Sequence, residues 1–91
     1  QGTGRVVFES DEDWPVLSGL FESYRGERAV IVVECDRIAD SCGYAVPLFE
    51  YVGQRSKLIE WADHRTDEQL VEYRATKNAR SIDGLPAIPP T

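Results

Sequence analysis

The chain has 91 residues, with 16 acidic and 10 basic side chains and one histidine, for a formal charge of −6. A chain this short buries only roughly 60–65% of the surface its unfolded form exposes, so any core is thin. Its 42% hydrophobic content excludes wholesale disorder, and its acidic balance argues against nucleic acid as a partner.

The charge is unevenly placed. Residues 1–53 carry four basic and ten acidic side chains, whereas residues 54–80 carry six basic and five acidic ones. No apolar run approaches the 18–20 residues of a membrane span, so no membrane partner is expected. The start, Gln1-Gly2-Thr3-Gly4-Arg5, has no signal-peptide core, and the chain contains no Met. These features fit a processed or partial chain. Two cysteines, Cys35 and Cys42, are too few for a disulfide framework, so a cytoplasmic location is expected.

The first element is a short β-rich run, Arg5-Val6-Val7-Phe8-Glu9. Ser10 stands three residues before Asp13, approximating a capping box, and Trp14, Leu17, Leu20 and Phe21 follow at helical spacing. This predicts a helix over 11–23, with Pro15 tolerated in its first turn. A turn at 24–27 leads into Arg28–Glu34. Its unalternating Ala-Val-Ile-Val-Val run suggests a strand buried on both faces. One partner strand is too little for it, because an isolated pair is marginal in water.

Residues 37–53 read as irregular, punctuated by Gly43, Pro47 and Gly53. A helix is expected from Gln54 to about Arg65, with Leu58, Ile59, Trp61 and Ala62 as its apolar stripe. Thr66 caps the next helix, with Gln69 at the box position and Asp67 and Glu68 near the positive end. Leu70, Val71, Tyr73 and Ala75 give that helix a buried side, and it ends near Asn78. An extended tail follows to Thr91, turning at Asp83-Gly84. The order is β-α-β-loop-α-α-tail, an α+β chain forming one partial domain, with strands, one helix and loop over 1–53 and a helical pair with tail over 54–91.

Familiar catalytic patterns are weak. Ser81, His64 and Asp83 could formally make a triad, but no nucleophile elbow accompanies them. The cysteines and one histidine match no zinc spacing, and Glu34, Asp36 and Asp40 lack a calcium-loop pattern, so no metal is expected. The acidic run Glu9–Asp13 is accounted for by the dipole at a helix start. Gly2-Thr3-Gly4 opens no helix and cannot form a phosphate loop.

The informative stretch is Asp40–Pro47. Ser41 and Tyr44 bring hydrogen-bonding groups and an aromatic ring, and Gly43 permits positive φ or close approach of a ligand. Cys42 has no Lys, Arg or His beside it to activate a thiol, and reads as a packed or ligand-side group. The stretch is either a ligand-facing loop or a structural corner.

The segments Asp40–Arg55 (DSCGYAVPLFEYVGQR) and Glu72–Pro86 (EYRATKNARSIDGLP) resemble the C-terminal portion of the pyridoxamine 5′-phosphate oxidase-like flavin-nucleotide-binding family. The strands at Gly4–Val7 and Ala29–Val33 fall where that family has late barrel strands. The resemblance implies a split β-barrel, usually dimeric, holding flavin mononucleotide (FMN) between subunits. It also implies that earlier barrel strands, with the main contacts to the flavin phosphate, precede Gln1. The chain is then a segment of an oxidoreductase, not catalytically complete alone, whose partner is a second subunit or upstream residues. A dimerisation or interaction module of the same architecture is the alternative.

The flavin contacts implied for this segment are Ser41, Cys42, Gly43 and Tyr44, with Asn78, Arg80 and Ser81 at the helix exit. No catalytic residue is assigned. The family's better-known oxidases end in an Arg-rich substrate-phosphate motif, which Leu85-Pro86-Ala87-Ile88-Pro89-Pro90-Thr91 does not match, so pyridoxamine phosphate oxidation itself is not implied.

Overall fold

The computed structural model describes residues 1–89, so the end of the expected tail, residues 90 and 91, lies outside the described residues. The chain divides into two units, Gln1–Gln54 and a second beginning at Arg55. The element order is β1 (Gly2–Phe8), α1 (Trp14–Ser18), β2 (Ala29–Cys35), α2 (Lys57–Asp63) and α3 (Asp67–Lys77).

In the first unit, β1 and β2 form a two-stranded antiparallel sheet running from Gly2 opposite Cys35 to Phe8 opposite Ala29. The strand therefore starts before Arg5, where the sequence pattern placed it. Its opening glycine belongs to the ladder because the backbones approach closely there. A Cβ added at Gly2 would collide with the Glu34 carbonyl oxygen.

The helix expected over 11–23 is only the five residues of α1, flanked by single turns such as Trp14 N–H to Asp11 O (3.1 Å) and Phe21 N–H to Ser18 O (3.1 Å). The Ser10–Asp13 capping box does not form. Asp13 is itself the N-cap, with no side-chain capping bond, and its carboxylate bridges Arg5 at 2.8 Å. Asp11 caps the end of β1 instead, accepting from Phe8 N–H at 2.6 Å. Pro15 does sit in the first turn, where it removes no intrahelical bond.

The expectation that β2 is buried on both faces is not met. Strand residues alternate between faces, and the register puts Arg5, Val7, Val30 and Val32 on one side. There Val7 is fully buried, and Val30 and Val32 are half-buried. On the other side Val6, Ile31 and Val33 are exposed. Two strands and one short helix supply cover for a single face.

In the second unit, α3 has a full N-terminal cap, whereas Ser56 at the start of α2 makes no side-chain capping bond. Thr66 Oγ1 accepts from Gln69 N–H (3.2 Å) while Gln69 Oε1 accepts from Thr66 N–H (3.0 Å), the reciprocal box read from sequence. Ala62 and Leu70 are buried. Trp61 meets the edge of Tyr73 with ring centroids 4.8 Å apart, and Arg65 lies 4.2 Å over the Trp61 ring. The apolar stripes are less covered than the pattern implied. Leu58, Ile59, Val71, Tyr73 and Ala75 are exposed. On α3 the sheltered line is Leu70, Arg74 and Asn78, one residue every helical turn.

Candidate functional site

The residues singled out by sequence fall in both units. Ser41, Cys42, Gly43 and Tyr44 belong to the first, and Asn78, Arg80 and Ser81 to the second.

Residues 37–53 carry no helix or strand, as expected, and all are exposed. Within them a turn closes by Val46 N–H donating to Gly43 O at 3.1 Å. The Tyr44 N–H donates to the Cys42 thiol sulfur at 3.4 Å. Cys42 is therefore an exposed free thiol, not the packed group that sequence allowed. Gly43 does not use the positive-φ region; among the described glycines only Gly53 and Gly84 have positive φ. No atom lies within 4 Å of where its Cβ would stand, so what remains of the expectation is room for a ligand at the backbone. Tyr44 has its ring fully in solvent, which removes core packing as its role within this chain.

The helix exit is more ordered than a bare tail. After Asn78 caps α3, the chain turns at Ser81–Gly84, where Gly84 N–H donates to Ser81 O (3.0 Å) and Gly84 adopts φ +79°, a conformation that glycine enters without strain. The strand-like return then pairs with the exit. Ser81 N–H bonds to Leu85 O (2.9 Å), Ala87 N–H to Ala79 O (3.0 Å) and Ile88 N–H to Asn78 O (3.0 Å). Arg80 Nη1 donates to Gly84 O at 2.8 Å, and Ser81 Oγ accepts from Leu85 N–H at 3.2 Å. The guanidinium is exposed and held by the turn it spans. Asn78 Oδ1 is buried and accepts no hydrogen bond.

The discounted triad does not assemble. The Ser81 hydroxyl serves the turn, and His64 Nδ1 lies 2.6 Å from the Glu60 carbonyl of its own helix. Among the described residues no three His, Cys, Asp or Glu side chains gather as a metal site, and no helix is long and apolar enough to cross a membrane.

Sequence reasoning missed the concave surfaces. In the first unit a cleft of about 420 Å³ is lined by residues of α1, the 21–27 segment and the start of β2. A shallower one of about 280 Å³ in the second unit is bordered by Arg65, Gln69, Glu72, Tyr73 and Thr76. Neither is lined by the residues expected to contact flavin. The signal for the first was present in Trp14, Phe21 and Tyr24, of which the first two were absorbed into an expected helix that ends at Ser18 and the third into the turn that follows.

Comparison with known proteins gives one informative likeness. The chain is 31% identical over 104 aligned positions to the pyridoxamine 5′-phosphate oxidase family protein ustO of Aspergillus flavus. The alignment covers 94% of this chain and 41% of the relative, so the chain spans about two fifths of that protein's length. No family model and no solved structure matches.

Proposed function

The chain belongs to the pyridoxamine 5′-phosphate oxidase family, and we propose that it is the C-terminal segment of an FMN-binding, split-barrel oxidoreductase of that family. The relationship over 94% of its length carries this reading. The exposed apolar face of Val6, Ile31 and Val33 supports it, since the unalternating apolar run of β2 has the composition of a strand covered on both faces.

The donor set suits a flavin nucleotide. Ser41 and Tyr44 offer hydroxyls, and Gly43 leaves space for close backbone approach. Arg80 is preset by its bond to Gly84 O, and a planar guanidinium matches phosphate oxygens in bidentate fashion. Asn78 Oδ1 is an acceptor still owed a donor. Bound FMN supplies two-electron redox chemistry. The residues of this chain would hold and orient it, with Arg80 neutralising phosphate charge and Tyr44 packing along a ring.

A dimerisation module without flavin is the second reading. The exposed apolar residues Leu48, Phe49, Tyr51 and Val52, together with Tyr44, favour an interface along 44–52.

The test is flavin binding by the longer protein containing this chain, followed by absorbance and titration. We expect a yellow protein in which Gly43→Val and Arg80→Ala each weaken FMN. Loss of one charge-assisted contact at Arg80 should cost about 1.5–3 kcal/mol, or about 10- to 150-fold in affinity. Colourless protein that takes up no FMN supports the interface reading; unchanged affinity in both variants, with folding intact, removes these residues from the site.

A further inference from the structure

The cleft of the first unit collects an unusual combination of side chains. Three aromatic rings, Trp14, Phe21 and Tyr24, line it together with the carboxylate residues Glu22 and Glu27 and the apolar Ile31. Tyr24 ties the acidic pair together. Its O–H donates to Glu22 Oε2 at 2.8 Å, and its backbone N–H donates to Glu27 Oε2 at 3.3 Å. Glu22 is thus held at the Tyr24 phenol and Glu27 at the Tyr24 backbone. The basic residues of the same turn, Arg25 and Arg28, do not line the cleft, so all the formal charge on its walls is negative.

We propose that this cleft binds a small free organic ammonium ion, enclosed by the faces of Trp14, Phe21 and Tyr24 and neutralised by Glu22 and Glu27. Aromatic faces carry the negative lobe of the ring quadrupole, and an alkylated ammonium gives up little hydration to meet them. The carboxylates add charge attraction without closing the cavity. At about 420 Å³ the space lies within the range of small-molecule sites and exceeds what one such cation needs. The hydrogen bond to Glu22 also keeps the Tyr24 phenol protonated, so the ring remains neutral toward its guest. The same two carboxylates repel a phosphate. None of these residues is among the proposed flavin contacts, so cation binding and flavin binding are read separately.

The experiment titrates the full chain with tetramethylammonium chloride, with sodium chloride at matched ionic strength and tert-butanol as the neutral isostere. Chemical shifts of the Trp14 indole and the Phe21 and Tyr24 rings are followed by nuclear magnetic resonance. Expected are saturable shifts confined to these rings for the cation, and binding of tert-butanol at least about tenfold weaker. Phe21→Leu, at an exposed position, and Glu22→Gln, which keeps size, should each weaken the cation about 2- to 30-fold. Absence of saturable shifts, equal binding of tert-butanol, or two variants that bind as well as the parent would overturn the proposal.

Discussion

Val33 distinguishes a sheet that ends at two strands from one that continues. It is 52% exposed, opposite Gly4, on the face that carries Val6 and Ile31, and it lies outside the aromatic cleft. Full burial of a valine-sized side chain stabilises by about 1.5–3 kcal/mol, so covering the open half adds about 0.8–1.6 kcal/mol. Val33→Thr keeps the shape and the β-branching but puts a hydroxyl where a methyl stood. In the 91-residue chain that hydroxyl still reaches water, and stability should change by no more than about 0.5 kcal/mol. In the longer protein, a covering strand or subunit seals it, at a cost of about 1–3 kcal/mol. Urea denaturation followed by circular dichroism, on both forms, reads the difference. Val7→Ala is the control, because Val7 is 0% exposed and loses about two buried methylenes in either form, about 1.5 kcal/mol. Equal losses for Val33→Thr in the two forms would refute the inference that this face is covered.

Thr66→Ala removes one arm of the reciprocal cap and should destabilise the second unit by about 1 kcal/mol, visible as lost helicity on warming; a change of a few tenths would mean the box is incidental. The Tyr24 phenol should ionise above its ordinary 10.0, because it donates to the Glu22 carboxylate and its ionisation would place two negative charges side by side. With the folded-state value raised, this bond's contribution is complete below pH 10 and disappears as pH rises through the raised value. Ultraviolet titration of the phenolate should show Glu22→Gln returning the midpoint toward the ordinary value, and a Tyr24 midpoint at or below 10 in the parent would contradict the geometry.

The sequence was most legible where interactions are local. The Thr66–Gln69 box, the termination near Asn78 and the turn at Asp83-Gly84 all depend on residues within a few positions of each other, and all appear as read. It was least legible where long-range pairing competes with local pattern. Asp13 looked like a box partner for Ser10, but Arg5 of the neighbouring strand takes its carboxylate, and the helix contracts to five residues. The apolar run of β2 gave its strand character correctly. Its two-sided burial depends on what lies across Val6, Ile31 and Val33, and no local pattern encodes that. For the candidate site, residue types left Ser41–Tyr44 as either a ligand-facing loop or a structural corner, whereas the Arg80–Gly84 bond required the hairpin return through Leu85–Ile88 to be seen.

That difference bears on how the two groups of proposed flavin contacts would share the work. The helix exit is held by its own hairpin, and Arg80 is already tied to the turn, so its side chain surrenders little further freedom when a phosphate arrives. Ser41–Tyr44 sits within a long exposed segment with one closing turn, and ordering it on a ligand costs backbone and side-chain entropy. A preset cation and an adaptable loop make unequal contributions. Arg80 should supply affinity, while the loop, ordered only when its apolar neighbours Leu48, Phe49 and Val52 find cover, makes flavin retention depend on the surface that buries them. On the proposed reading, flavin affinity and assembly of the longer protein would be coupled through this loop: whatever covers residues 44–52 would lower the ordering cost that FMN must otherwise meet alone.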